Sequence, residues 1–199
     1  MKLDTKKFEK EIKDKVGTKR YDHMLRVSKE AKSLAKIYEE DEDKAEIAGY
    51  FHDCAKLKDK SEIPSLCQKI DFEITDEMKK APSIIHSFLG AVLAEKLYDI
   101  HDEDILNAIS WHTTGRPNMS TLEKIVFLAD YIEPGRDYPE AKKARTLAYK
   151  NLDKAMEYAL NQNILNLIDS NKYIAMESVN ARNYYLEINR WKLFLNLFL

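Results

Sequence analysis

Cysteine is nearly missing from the chain: Cys54 and Cys67 are the only two. That excludes a disulfide framework and a four-thiolate zinc site. Long apolar runs are missing too, and none approaches the ~20 residues that span a bilayer. The opening stretch, MKLDTKKFEKEIKDK, is polar and lacks the apolar segment of a signal peptide, so a cytoplasmic, non-membrane protein is expected. No charge sign dominates: 32 Lys and Arg stand against 34 Asp and Glu, a net charge of -2. Binding of a nucleic-acid polymer through bulk charge is therefore not expected. A small basic pocket for phosphate is compatible with that balance. Glycine and proline, five of each, fall below their usual share, and β-branched alternation is rare. Neither GxxxxGK nor GxGxxG occurs, so no glycine-rich loop cradles phosphates.

What is present is helix-period patterning. Hydrophobic residues make up 44% of 199 residues, enough to bury one core, so a single domain is expected. Thr18 can cap a helix through about Glu40, with Tyr21, Met24, Leu25, Ser28, Leu34, Ala35 and Tyr38 on one face. Asp41 or Asp43 can cap the next, which carries Ile47, Tyr50, Phe51 and Leu57. A short helix is expected from Pro64 to Lys69, and a longer one from Pro82 to Asp99. Asp102 to His112 forms another, stopped at Gly115-Arg116-Pro117. Ser120 with Glu123 reads as a capping box that opens a helix to Ile132. After Pro134-Gly135, helices are expected over Pro139–Ala148 and Leu152–Ile168, and from near Met176 onward. The fold class is all-α, with a core of about 18–134 and a helical extension over 135–199.

Four of the five histidines lie in these helical segments: His23, His52, His86 and His112. His101, in the polar stretch DIHDED, reads as solvated. His52 and Asp53 are adjacent in GYFHDCAKL, taken as helical, and so ~100° apart around the axis. Asp130 sits among Phe127, Leu128 and Ile132, where an unpaired carboxylate is expensive to bury and a bound cation removes that cost. Imidazole with carboxylate suits iron, manganese, zinc or nickel. A carboxylate has two oxygens, so Asp53 could bridge two ions. Two ions ~3.5–4 Å apart could hold a shared hydroxide and clamp a phosphoryl group for in-line attack.

The segments KRYDHMLRV (19–27), FHDCAK (51–56), HSFLGA (86–91), WHTTGRPNMSTLEKIVFLADYIEPGR (111–136) and VNARN (179–183) together resemble the HD-domain metal-dependent phosphohydrolases, and within them the YqeK family. The one small departure is Ser87, where glycine is common. The resemblance implies an HD-domain helical bundle. It also implies symmetric hydrolysis of diadenosine tetraphosphate to two ADP by a hydroxide activated at a dinuclear centre. The cofactors it implies are two divalent or mixed-valent ions, iron first, with manganese, zinc, nickel or cobalt compatible. Carried over by motif, His23, His52, Asp53 and Asp130 hold one ion, and Asp53, His86 and His112 the other.

Around that set, Lys56 follows Asp53 by three residues and Arg26 follows His23 by three, which puts a cation near each ligand. Lys56 is expected to act with Asp53 in catalysis, by neutralising phosphoryl charge. Thr113, Thr114, Arg136, Arg182, Asn183 and, more weakly, Arg20 are further candidates for binding the substrate. Cys54 reads as packing. Rival readings are a hydrolase of a mononucleotide or cyclic nucleotide, a non-catalytic nucleotide sensor, and a di-iron oxygenase. The apolar end WKLFLNLFL, with Trp191, Phe194, Leu195, Leu197, Phe198 and Leu199, suggests a homodimer.

Overall fold

Capping side chains start several of the helices where the pattern places them. Asp41 accepts from the Lys44 amide at 2.9 Å and opens a helix, and Asp102 accepts from the amides of Asp104 and Ile105 to open another. Ser120 and Glu123 form both halves of a capping box. The computed structural model describes residues 5–198 and shows helices only among them. In chain order these are α1 (Glu9–Val16), α2 (Thr18–Ile37), α3 (Glu42–Phe51), α4 (Ile63–Ile70), α5 (Asp76–Lys80), α6 (Ile85–Tyr98), α7 (Glu103–Trp111), α8 (Thr121–Ile132), α9 (Pro139–Ala148), α10 (Leu152–Asp169) and α11 (Met176–Phe198). Short 3-10 turns precede α1, α4 and α6.

At the centre, α2 packs along α3 and α8, and α7 lies against α3, α6 and α8. Helix α10 bridges α8, α9 and α11. Gly49 permits the approach of α3 to α2: a Cβ there would stand 2.9 Å from the Ser28 Cα, so α3 can cross α2 only without a side chain at that point. One apolar core runs from Ile12 through Phe51, Leu89, Ile109 and Phe127 to Met156 and Tyr185. The helices after Pro134 therefore share the core of those before it. Among the described residues no helix is long and apolar enough to cross a membrane.

Three expectations need correction, and one short helix was not anticipated. Thr18 is the first residue of α2, and Gly17 is its cap residue, at φ 84°. The same helix stops at Ile37 instead of Glu40. The stretch reaching Leu57 is not continuous helix: α3 ends at Phe51, and the chain turns through His52–Ala55 with amide bonds from Cys54 to Phe51 O and from Lys56 to Asp53 O. The apolar spacing continues past Phe51 because the turn remains buried, which is why periodicity alone misses the break. Helix α5, capped by Thr75 at 3.2 Å from the Met78 amide, is one turn long and too short for a periodic signal.

Candidate metal centre

Five helices deliver six side chains to one point. His23 comes from α2, His86 from the first turn of α6, and Asp130 from the last turn of α8. His52 and His112 are the residues that close α3 and α7, and Asp53 lies on the turn just after α3. Ending α3 at Phe51 lets the pair His52-Asp53 leave the helical path and face the centre together. All but Asp130 are buried, and the Asp53 side chain is wholly so. The side chain of Asp130 is 21% exposed, which makes it the edge open to the cleft.

Asp53 is the hub, and its two oxygens face different partners. Oδ2 lies 3.4 Å from His52 Nε2 and 3.8 Å from His23 Nε2. Oδ1 lies 3.2 Å from His86 Nε2 and 3.7 Å from His112 Nε2. Asp130 Oδ1 is 3.0 Å from His23 Nε2 and 3.9 Å from His52 Nε2. Behind the rings, His52, His86 and His112 each donate Nδ1–H to a backbone carbonyl three residues earlier, of Gly49, Ser83 and Ile109, all at 2.7 Å. Such bonds set the tautomer and leave the Nε2 lone pairs pointing inward.

That inward set fits a cation. The Nε2 atoms of His23 and His52 and Asp53 Oδ1 are buried without a hydrogen-bond partner. The Nε2 atoms of His86 and His112 face each other at 3.2 Å, two lone pairs at a separation that needs a shared positive charge or proton. Two groups have ligand atoms close enough to hold an ion: His23, His52 and Asp130, and His52, Asp53 and His112. Burial alone would raise the Asp53 carboxyl, but His52 and the other imidazoles outweigh it and hold it well below the usual carboxylate range. The Asp130 carboxyl is likewise held low, its burial outweighed by His23 and His52. Burial pushes His86 down to about 4, so near neutral pH its ring is uncharged.

Residues 20–135 match the HD domain. The chain belongs to the HD-domain family. Over 175 residues it is 41% identical to the "Bis(5'-nucleosyl)-tetraphosphatase, symmetrical" of Halalkalibacterium halodurans, covering 88% of this chain and 93% of that one. The protein of the same name from Staphylococcus aureus is 36% identical over 92% of this chain and 95% of its own length. A crystal structure from Clostridium acetobutylicum, described as a predicted HD superfamily hydrolase involved in NAD metabolism, shares 41% identity. It superposes with a TM-score of 0.86 over 94% of this chain and 99% of that one. An HD domain with these His and Asp groups depends on a divalent metal.

The HD-domain centre opens into a cleft of about 630 Å³ lined by Lys56, His86, His112, Thr113, Thr114, Asp130 and Arg136 at its polar end, and by Ile63, Ile84, Tyr131, Tyr138 and Leu167 beyond. Lys56 Nζ is 3.4 Å from Asp53 Oδ1, on a side chain 39% exposed. Arg136 Nη2 donates to Asp130 Oδ1 at 3.0 Å. Thr113 Oγ1 is 3.3 Å from His86 Nε2 and 3.1 Å from His112 Nε2, and the buried Thr114 hydroxyl has no partner. Arg20 Nη1 donates to Asp53 Oδ2 at 2.8 Å, a closer contact than its weak sequence signal suggests.

Three candidates fall elsewhere. Arg26 does not extend over the centre but donates through Nε to Glu133 Oε2 at 2.6 Å. Arg182 and Asn183 line a separate concavity between α10 and α11 with Asn161, Ile164 and Val179. There Arg182 donates to Asn161 Oδ1 at 2.7 Å and to Asn183 Oδ1 at 3.0 Å. Sequence reasoning missed two residues. Glu133 stands behind His23, and Arg145 donates to the carbonyls of Ile132, Glu133 and Arg136, so that it holds the loop that aims Arg136. A carboxylate three residues past Asp130 was the available signal for Glu133; nothing local marks Arg145. His101 is exposed and pairs with Asp99, and Cys54 is buried with its thiol on the Gly90 carbonyl, both as expected.

Proposed function

We propose that the chain hydrolyses diadenosine tetraphosphate symmetrically to two ADP at this centre. The observation that carries the proposal is the division of Asp53: one oxygen toward His23 and His52, the other toward His86 and His112, at the base of a cleft with Lys56 and Arg136 on its walls. The names of the relatives support the substrate. His23, His52, Asp130 and Asp53 Oδ2 would hold one ion, and His86, His112 and Asp53 Oδ1 a second. Iron is the first choice, and manganese, zinc, nickel and cobalt suit the same donors. When bound, such ions supply Lewis acidity that acidifies water and draws charge from phosphoryl oxygens.

The side chains of the chain do the rest. Lys56 places an ammonium beside Asp53 Oδ1, where it neutralises charge building on the phosphoryl group. Arg136 presents a guanidinium whose planar fork suits a flanking phosphate while its Nη2 stays on Asp130. The Thr113 and Thr114 hydroxyls offer donors to phosphate or ribose oxygens. Arg20 offsets the buried charge of Asp53. Water adds its oxygen to one central phosphorus, the central P–O–P bridge breaks, and ADP leaves with the bridging oxygen. The second ADP keeps the oxygen from water. No serine or cysteine nucleophile is needed.

The test is product analysis with anaerobically prepared protein in heavy-oxygen water. ADP alone, labelled in one of the two molecules, is expected, with about two metal equivalents per chain and loss of activity on chelation. ATP with AMP would refute the symmetric reading. A homodimer through α11 is part of the same proposal. Trp191 and Phe194 there are 62% and 52% exposed, while the side chains of Leu195, Leu197 and Phe198, and Leu199 altogether, lie outside the described residues. A monomer by light scattering at tens of micromolar would reject it.

A further inference from the structure

His23 is held differently from its three companions. Those donate Nδ1–H to uncharged backbone carbonyls within their own turn. His23 lies inside α2, where the carbonyls are committed to the helix, and its Nδ1 instead faces Glu133 Oε1 at 3.1 Å. Glu133 is only 2% exposed and fully engaged. Its Oε2 accepts from Arg26 Nε and from the Gly135 amide, both at 2.6 Å, and Oε1 also accepts from Arg26 Nη2 at 3.3 Å. Each oxygen therefore meets two donors, and the carboxylate has one orientation that serves them all.

We propose that Glu133 is a positioning residue that fixes His23 as the Nδ1–H tautomer, so that its Nε2 lone pair faces the cation site. The inference rests on the metal-dependent reading of the same centre, and it adds an asymmetry to it. A carboxylate behind an imidazole raises its basicity as a ligand, and losing such a partner typically costs 10–100-fold in metal affinity. Only His23 has one. Glu133 therefore strengthens the side formed by His23, His52 and Asp130, and leaves the side formed by His86 and His112 unaffected. Arg26 and the Gly135 amide serve this arrangement by holding the carboxylate in place.

Glu133→Gln exposes the role because an amide cannot satisfy four donors. If its carbonyl takes the Oε2 position, it keeps the two shortest bonds, and its NH₂ then faces His23 Nδ1. The ring must accept there and carry its proton on Nε2, aimed into the cation site. The experiment compares the chelator-stripped full chain, wild type and Glu133→Gln, by imidazole nitrogen-15 spectra and by Zn²⁺ titration against a chromophoric chelator. The expected result is a tautomer change at His23 alone, with one class of Zn²⁺ site weakened about 10–100-fold and the other unmoved. A His23 that keeps Nδ1–H in the variant overturns the proposal, as do Zn²⁺ affinities within twofold of wild type or an equal loss at both sites. A purely structural Glu133 would lower the melting temperature without changing the tautomer. Should the variant not fold, the wild-type spectrum decides: Nδ1–H at His23 supports the proposal and Nε2–H overturns it. A wild-type chain that takes up one Zn²⁺ would refute the dinuclear reading alone, and the single affinity must then fall by the same factor. Failure of the wild type to hydrolyse diadenosine tetraphosphate would refute the substrate and leave the tautomer result standing.

Discussion

Lys56→Met separates charge neutralisation from metal holding. Methionine keeps most of the apolar stem of lysine and removes only the ammonium. That ammonium stands 3.4 Å from Asp53 Oδ1, on the side where His86 and His112 converge. An ammonium cannot ligate a cation, so metal content should stay at the wild-type level. Removing one group that stabilises transition-state charge costs ~10²–10³ in turnover. The 39% exposure of the side chain lets water supply part of the same field, which places the expected loss near the lower end, about 100-fold or roughly 2.7 kcal/mol in the barrier. Folding should be affected little, since substitutions at such partly exposed positions cost within about 0.5 kcal/mol. The assay is steady-state turnover of diadenosine tetraphosphate to ADP, read by chromatography beside metal analysis and a thermal melt. Turnover within threefold of wild type would mean that Lys56 is a solvated cation. Loss of metal together with turnover would mean that it supports Asp53, and its separate role toward phosphate would fall.

Asp53→Ala should abolish turnover and weaken both metals, since both of its oxygens face imidazole nitrogens; a variant that retains two equivalents by metal analysis would refute the bridging role. Asp102→Ala should cost about 1 kcal/mol in urea unfolding at neutral pH through loss of the α7 cap, with turnover unchanged. Burial would raise the Asp102 carboxyl, but the Lys44 hydrogen bond and the α7 amides hold it below its ordinary 3.8. A depressed carboxyl stabilises fully above that value, so the gap between wild type and variant should close as pH falls through the lowered one; a gap that widens in acid contradicts the assignment. Cys54, its thiol pushed up to about 12 chiefly by burial, should resist alkylation at pH 8 until the chain is unfolded, and rapid labelling of the native protein would show otherwise.

What the sequence determined is what short-range physics encodes. The caps at Asp41, Asp102 and Ser120 act within four residues of themselves, and the helices they open begin where those residues stand. The all-α class follows from apolar spacing over whole segments, and the ligand types are readable because a histidine or aspartate among apolar neighbours needs a partner. Tertiary structure decided where those groups point. The turn after Phe51 depends on a buried environment made by other helices, and periodicity did not reveal it. Arg26 is three residues from His23, yet its guanidinium is held by Glu133, 107 positions away. Arg182 lies in the segment VNARN that carries the resemblance, yet it opens onto another face, between α10 and α11. The two faces of Asp53 exist only because α2 and α3 stand on one side of it and α6 and α7 on the other. Local sequence specifies each helix and its cap, because those bonds close within a turn. The pairing of a carboxylate with one ring nitrogen of a distant histidine is set by packing, since only the assembled core holds both groups at hydrogen-bonding distance.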